Sequence, residues 1–410
     1  MQRILRKNTG SITWYIPEGE EHTLGDRLTD LNDPIGEETA TIHKKGRRKV
    51  FASLGTTTNG EEIYVKAFRL SSLSLKLKHL FLRSKALREL MIGLTALERG
   101  VPVIVPLAAG EKRRMGLIVE CYTLLKKIDS AVTLRDYLYR EGIPQHRRSR
   151  VIEALGRLAR KSHEGGILQT DFALNNFLLK DPNDPSPTVY IIDFERTYVY
   201  NYIPEKMRNW TLAKLNRIGP DFSITDKLRF LKAYSTGNDA NKSPLLPWMK
   251  ELDRHTNWIL RKDAQRIHKA CVQGGRGYKL YTDGHLRAYF LEGHNAEELI
   301  RLTKDIDKEK EGAMEIPGPF KLYKTCRKIH IKDAEIEVDI FKFLPRSSQY
   351  SSPSVSTRPA VEAWQAANAL TKANLPVSQV IGAIEVDEGA SYRGYLIIKC
   401  IPGLKDLRTA

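Results

Sequence analysis

Residues 165–181 read GGILQTDFALNNFLLKD. They set Asp171 and Asn176 five positions apart in a short polar loop, with the apolar run Phe177-Leu178-Leu179 directly behind. Upstream, "RSRVIEALGRLARKSHEGG" predicts an amphipathic helix in which Val151, Leu155, Leu158 and Ser162 follow one face and Gly165-Gly166 supplies the stop. Downstream, NFLLK and TVYIIDF face each other across the turn signal DPNDPSP and read as a hairpin. A carboxylate and a carboxamide therefore sit between a helix and a strand pair, and Asp193 ends the second strand.

Working outward, "TIHKKGRRKVFASL" and "EEIYVKAFRL" predict strands separated by the turn TTTNG. The first holds a single glycine, Gly46, so it reads equally as a nucleotide-covering hairpin or as a plain basic one. Leu82, Ala86, Leu90, Leu94 and Leu97 then recur at helical spacing until RGVP, and VPLAAGE and MGLIVECYTLL give two more strands. Beyond residue 200, NWTLAKLNRI, ITDKLRFLKAYS and LDRHTNWILRKDAQRIHKACV predict helices. Residues 1–40 support no element and are read as an N-terminal extension.

ATP-dependent phosphoryl transfer needs a lysine on the α- and β-phosphates and a helix carboxylate to hold that lysine. It also needs an aspartate for the acceptor hydroxyl, and an amide oxygen plus a second carboxylate for magnesium. The protein-kinase order is strand lysine, helix glutamate, D-x-x-x-x-N, then an aspartate ending a buried strand. Lys66 lies inside the strand YVKAF, Glu89 follows on the helix, Asp171 and Asn176 have the five-residue spacing, and Asp193 ends VYIID. Taken singly, each has an ordinary reading: an edge lysine, a solvated helix charge, a cap, a turn amide, a strand terminator. Their common order favours the joint reading: Asp171 as catalytic base, Asn176 and Asp193 as magnesium ligands, Lys66 and Glu89 as the nucleotide-holding pair.

The sequence also repeats itself in fixed order. RRKVF (47–51) recurs as CRKIH (326–330), YVKAF (64–68) as IFKFL (340–344), and GLIVEC (116–121) as YLIIKC (395–400). Glu89 with ALERGVPV recurs as Glu362 with ALTKANLPV. Lys342 and Glu362 are then the expected counterparts of Lys66 and Glu89. Projected spacing puts a second catalytic loop beyond residue 410, so the second copy is read as an incomplete kinase-like small lobe.

Lys and Arg total 66 against 49 Asp and Glu, a surplus of +17 that predicts attraction to polyanions. The runs HKKGRRK (43–49), EKRR (111–114) and QHRRSR (145–150) suit either solvated faces or an anionic membrane or acceptor. No base-stacking motif or recognition helix accompanies them, so no nucleic-acid partner is expected. Cys121, Cys271, Cys326 and Cys400 show no C-x-x-C pairing, which argues against a zinc site or disulfide scaffold and suits a reducing compartment. With no apolar run near the ~18 residues of a membrane span and no signal-peptide core, a cytoplasmic protein with at most peripheral membrane contact is expected.

From about 41 to 235 the chain resembles the lipopolysaccharide core kinase family, the Kdo/WaaP group with its InaA-like members. The resemblance rests on YVKAF, SKALRELMIGLTALERGVPVIVPLAAGE, LARKSHEGGILQTDFALNNFLL, IIDFER, NWTLAKLNR and LRFLKAYS. It implies an α+β, bilobal protein-kinase-like fold, with a β-rich small lobe at 41–123 and a helical lobe at 124–300. The incomplete second small lobe follows at 315–410. It also implies ATP and Mg2+ as cofactors and Kdo or heptose of the lipopolysaccharide inner core as acceptor, at the inner face of the cytoplasmic membrane. Glu120, Cys121 and Tyr122 become the hinge whose backbone meets adenine. Another kinase activity on the same fold, or a non-catalytic nucleotide-binding pseudokinase, are the alternative readings. Two departures stand out: Gln169 replaces the family's usual histidine two places before the catalytic aspartate, and Phe194-Glu195-Arg196 lacks the glycine expected after Asp193-Phe194. The first implies altered packing rather than lost chemistry. The second makes a flip of the segment less favoured, since glycine is the permissive hinge residue.

Overall fold

The computed structural model describes residues 3–24, 31, 33–36, 40–46, 49–57, 60–72, 74, 76–77, 79, 82–216, 222–236, 244–307, 313–314, 320–331, 334–345, 358–372, 375, 377–387 and 392–400. The chain forms two units, Met1–Thr256 and Asn257–Ala410.

The first unit opens with strands β1 (Ile4–Thr9) and β2 (Ile12–Pro17), a short helix α1 (Glu20–Leu24), and strands β3 (Thr41–Lys45), β4 (Lys49–Thr56) and β5 (Glu62–Arg69). Helix α2 (Lys85–Glu98), β6 (Pro106–Arg114) and β7 (Leu117–Lys126) complete the small lobe. All seven strands form one antiparallel sheet in the order β1-β2-β6-β7-β5-β4-β3. The first residues are therefore not an extension. Ile12, Trp14 and Ile16 alternate inward along β2 and share a core with Val65, Ala67 and Tyr122. This period-2 signal was hidden by its shortness and by the polar β1 beside it. At Gly110 the backbone passes so close to Trp14 that a Cβ would lie 2.7 Å from the indole, which is why β6 carries glycine there. On the opposite face Phe68, Ala86, Leu90 and Cys121 pack α2 against the sheet. The Ser84 hydroxyl caps α2 by accepting from Leu87 N–H at 3.1 Å.

The helical lobe follows with β8 (Ala131–Thr133), α3 (Leu134–Leu138), α4 (Gln145–Glu164), β9 (Ile167–Gln169), β10 (Phe177–Lys180), β11 (Thr188–Ile191) and β12 (Thr197–Val199). Helices α5 (Glu205–Leu215), α6 (Ile224–Ser235) and α7 (Leu245–Gln273) come next, and α7 runs on into the second unit. Val151, Leu155 and Leu158 of α4 enter the core as the periodicity predicts, and β10 pairs with β11 as the expected hairpin. Where α4 meets α6, Gly156 has no room for a side chain: a Cβ would lie 2.5 Å from the Phe230 carbonyl oxygen. His163 is buried near the end of α4, with Nδ1 2.8 Å from the Tyr234 hydroxyl and Nε2 2.9 Å from the Thr211 hydroxyl.

The second unit contains β13 (Tyr278–Asp283), β14 (Leu286–Leu291), α8 (Ala296–Asp307), β15 (Ala313–Met314), β16 (Phe320–Ile331), β17 (Ala334–Pro345), α9 (Pro359–Lys372), β18 (Val380–Asp387) and β19 (Tyr392–Lys399). Its strand order, β13-β14-β18-β19-β17-β16-β15, matches that of the first sheet position for position. Tyr15 donates to Glu111 at 3.4 Å in the first unit, and Tyr289 to Glu385 at 3.4 Å in the second. This unit therefore starts well before residue 315, because β13 and β14 hold the places of β1 and β2.

The register also corrects the expected pair. Buried Tyr122 lies opposite Gly110 and Ala67, and buried Tyr395 lies opposite Ile384 and Lys342. Lys342 thus stands at the position of Ala67, while Phe341 stands at that of Lys66. A one-residue slip turns a strand side chain to the other face of the sheet. Glu89 is the fifth residue of its 14-residue helix, and the fifth residue of 14-residue α9 is Ala363. Phe341 and Ala363 pack in one apolar cluster with Trp364, and Glu362 faces solvent.

Among the described residues no helix is long and apolar enough to cross a membrane. Two outcomes are expected from the packing of α4. Gly156→Ala gains up to about 1 kcal/mol of helix propensity but forces α4 and α6 apart, an overpacking cost of about 1–3 kcal/mol. Net loss is expected, read as a lower melting temperature. Burial moves His163 from 6.5 down to about 3, with the Arg208 charge adding to the shift. The unfolded chain therefore takes up this proton first, and stability falls by about 1.4 kcal/mol per pH unit from near 6 towards 3. Urea titrations across that range should show the slope, and His163→Gln should flatten it.

Candidate active site

The site is assembled where the small lobe meets the loops that follow α4. On β5 the residues Ile63, Val65 and Ala67 face the Trp14 core, so Lys66 points to the side covered by α2. Only 6% of Lys66 is exposed. Its ammonium lies 3.6 Å from Glu89 Oε2 and 3.5 Å from Asp193 Oδ1, and it donates to the Ile192 carbonyl at 2.9 Å. Five of the predicted residues are thus connected in space by one contact chain and one cleft: Lys66 touches Glu89 and Asp193, and Asp193 lines a cleft with Asp171 and Asn176.

The charges explain one another. Burial would lower the Lys66 ammonium, but the carboxylates of Glu89 and Asp193 outweigh it and hold the group above its ordinary value. Glu89 is 2% exposed and neither carboxylate oxygen has a hydrogen-bond donor, so burial raises it despite the nearby ammonium. Asp193 is also penalised by burial, yet the Lys66 and Lys49 ammoniums and the Glu195 N–H bring it below the usual carboxylate range. Asp193 is therefore the lasting anion of the group, and it is the one that faces the cleft.

Two further residues reach this cluster without any assignment from the sequence. Lys49 on β4 reaches Asp193 Oδ2 at 3.3 Å and Glu195 at 3.7 Å, and Lys85 reaches Glu195 at 2.8 Å. Both ammoniums stand over the Phe68 ring, 5.4 and 5.5 Å from its centroid. Lys49 had been counted only as part of a basic run. Its alternation with the inward residues of β4 was the available signal.

The cleft of about 120 Å³ is lined by Gln169, Asp171, Asn176, Asp193, Glu195 and Arg196. The loop is self-supporting: Ala173 N–H donates to the Asp171 carbonyl at 2.9 Å, and the Asn176 amide nitrogen donates to the same carbonyl at 2.7 Å. That bond commits the nitrogen of Asn176 and leaves its oxygen as the atom suited to a cation. Gln169 is 1% exposed; its amide donates to the Asp193 carbonyl at 2.6 Å and accepts from the Thr197 hydroxyl at 2.7 Å. It braces the backbone of Asp193.

The hinge expectation needs correction. Glu120, Cys121 and Tyr122 lie mid-strand in β7, paired with β5 on one side and β6 on the other, so their backbone polar groups belong to the sheet ladder. Their side chains do not compensate, since Cys121 and Tyr122 are fully buried and Glu120 holds Arg69 and the Tyr122 hydroxyl. Strand β7 ends at Lys126, and the connecting residues 127–130 come five or more positions later. An apolar run does not reveal where its strand stops, which is why the position was set too early. The basic runs are also partly structural: Arg113 pairs with Glu111, Arg148 with buried Asp226, and Arg147 with Asn183.

Residues 37–234 match the model of the lipopolysaccharide kinase (Kdo/WaaP) family. A 3-deoxy-D-manno-octulosonic acid kinase of Photobacterium profundum is 36% identical over 118 residues, 29% of this chain and 45% of that protein. One of Haemophilus influenzae is 29% identical over 127 residues, 30% of this chain and 48% of that protein. The chain thus spans about half the length of the curated relatives it matches. A solved structure described as WaaP in complex with acyl carrier protein aligns at a TM-score of 0.43 and 21% identity, over 62% of this chain and 98% of that one. The segment 37–234, over which the chain is similar to the lipopolysaccharide kinase (Kdo/WaaP) family, contains Lys66, Glu89, Asp171, Asn176 and Asp193.

Proposed function

We propose that this protein is an ATP- and Mg2+-dependent phosphotransferase acting on a sugar hydroxyl, Kdo or heptose of the lipopolysaccharide inner core. The observation that carries this reading is the buried Lys66–Glu89–Asp193 cluster beside the cleft of Asp171 and Asn176. The named kinase relatives support the acceptor class.

The residues present fit the cofactors. Asp193 is an anion that already draws two ammoniums, and the Asn176 oxygen adds a neutral donor of the hard type magnesium takes. The bound magnesium nucleotide supplies the phosphoryl group; the chain supplies position and charge. Lys66, held by Glu89, presents its ammonium to the α- and β-phosphates. Asp171 orients the acceptor hydroxyl and takes its proton. Gln169 keeps the Asp193 backbone fixed, and Lys49, which lies beside Asp193 and Glu195, would add positive charge for phosphate oxygens. Residues 127–130 take over the adenine-facing role that mid-strand Glu120–Tyr122 cannot fill.

A membrane-embedded acceptor requires peripheral contact at the inner face of the cytoplasmic membrane. The β6–β7 hairpin suits that contact, because Arg113, Arg114 and 93%-exposed Met115 stand together at its tip. The second unit is read as a duplicated small lobe that has lost the phosphate-holding pair to Phe341 and Ala363.

The test is transfer of labelled phosphate from ATP to Kdo-lipid A and heptosylated lipid A, with serine peptides as the contrasting acceptor. Asp171→Asn should lower the rate constant at least about 10²-fold with nucleotide affinity nearly unchanged, the usual size of a lost general base. Lys66→Met should weaken transfer comparably and leave the protein folded, because Glu89 can become neutral by protonation once its partner is gone. Normal turnover by Asp171→Asn would overturn the assignment. Gln169→Ala removes the bond to the Asp193 carbonyl and the one accepted from Thr197; it should weaken magnesium-dependent nucleotide binding more than magnesium-free binding, measured by calorimetry.

A further inference from the structure

The second unit carries a group of side chains with no part in phosphoryl transfer. Cys326 on β16, Asp339 on β17 and Cys400, the residue after β19, bring one ligand atom each to within 4.8 Å of one another. Cys326 and Asp339 are direct cross-strand partners, and the Cys400 N–H donates to the Glu337 carbonyl at 2.9 Å. Alternate residues of a strand share a face, so Cys326, Glu337, Asp339 and Cys400 stand on one face of three neighbouring strands. Glu337 stands beside the group, its Oε1 accepting from the Cys326 thiol at 3.1 Å.

The first unit shows what the same positions hold when no such group is built. Ser53 and Tyr64 are the corresponding cross-strand partners, and the Lys127 N–H donates to the Glu62 carbonyl at 2.8 Å. There the Lys127 ammonium neutralises Glu62. In the second unit the glutamate is retained as Glu337, but its lysine has become Cys400, serine has become Cys326 and tyrosine has become Asp339. One cation has been removed, and two sulfur donors and a carboxylate have been added. Lys324, 2.9 Å from Asp339, lies on a partly exposed side chain that water can replace at little cost.

We propose that the second unit binds one zinc ion through the thiolates of Cys326 and Cys400 and carboxylate oxygens of Asp339 and Glu337. Two sulfurs with two carboxylates form a borderline-soft, four-donor set of the kind zinc selects over magnesium or calcium. Tetrahedral zinc ligands lie about 3.5 Å apart, so Cys326, Asp339 and Cys400 need to contract by about 1 Å while Glu337 swings in from beside Cys326, both within reach of side-chain rotation on a fixed sheet. The ion ties β16, β17 and the end of β19 at one edge of the lobe. Cys326 is exposed, and Asp339 and Cys400 are half-buried, so an ion can enter from solvent. The two cysteines are 74 positions apart in sequence, and only strand pairing brings them together.

The test uses the full chain, reduced and stripped of metal, then loaded with zinc or with cobalt as its spectroscopic substitute. One equivalent of zinc should survive dialysis, and cobalt should give a thiolate charge-transfer band. Cys326→Ser and Cys400→Ser should each weaken or abolish that band and lower zinc affinity by roughly tenfold or more. Serine is already accommodated at the position of Cys326 in the first unit, and circular dichroism of both variants will verify folding. Asp339→Asn should weaken zinc and keep the sulfur band. The proposal is overturned if the reduced chain retains no zinc, or if both serine variants bind as tightly as the parent. A Cys326–Cys400 disulfide that, once reduced, takes up no metal would likewise overturn it and assign the pair to oxidation. None of these readouts depends on kinase activity.

Discussion

An ammonium inside the protein is the constraint around which the first unit is arranged. Lys66 is almost fully withdrawn from water, where a lone charge is too costly to keep, so Glu89 and Asp193 have to reach it together. Those partners come from α2 and from the segment after β11, and the Ile192 carbonyl adds a third tie. One side chain thereby links a strand of the small lobe, the helix packed on it and the loops of the helical lobe. The two carboxylates share one buried cation unequally. Glu89, without a hydrogen-bond donor, is the more easily protonated, while Asp193, reached by Lys49 and the Glu195 N–H, stays charged beside the cleft.

The second unit supplies an internal control. It builds the same seven-strand order and keeps the tyrosine–glutamate contact between its second and third strands, yet it has Phe341 and Ala363 where the first unit has lysine and glutamate. The sheet therefore does not need the ion pair in order to form. A costly buried charge that the topology can do without is better explained by chemistry than by folding. The same comparison isolates the cysteine–carboxylate group, because equivalent strand positions in the first unit hold a serine, a tyrosine and a neutralising lysine.

Much of the site was legible because its spacing is local. Asp171 and Asn176 lie within a single loop whose hydrogen bonds run between neighbours, so six residues of sequence contain the geometry of that loop. The partners of Gln169 were not legible, because the Asp193 carbonyl and Thr197 lie 24 and 28 positions away. Lys49 and Lys85 escaped notice because a basic residue near a turn looks the same whether it faces solvent or a carboxylate. The hinge was set too early, since nothing in MGLIVECYTLLK marks where ladder pairing stops.

The sequence alone determined the elements whose signal is periodic or punctuated: the helix ended by Gly165-Gly166, the β10–β11 hairpin around its proline turn, and the ordered set from Lys66 to Asp193. The helix and the hairpin depend on residues within one or two turns of chain, where side-chain direction follows directly from backbone period, and the ordered set was legible from the type and order of its residues. Only tertiary structure decided that residues 4–17 enter the sheet, that Lys342 faces away from α9, and that Cys326 and Cys400 meet. In all three cases the deciding quantity is strand register. A shift of one residue reverses the face, and register is set by packing and turn geometry across the whole sheet rather than by the strand's own composition.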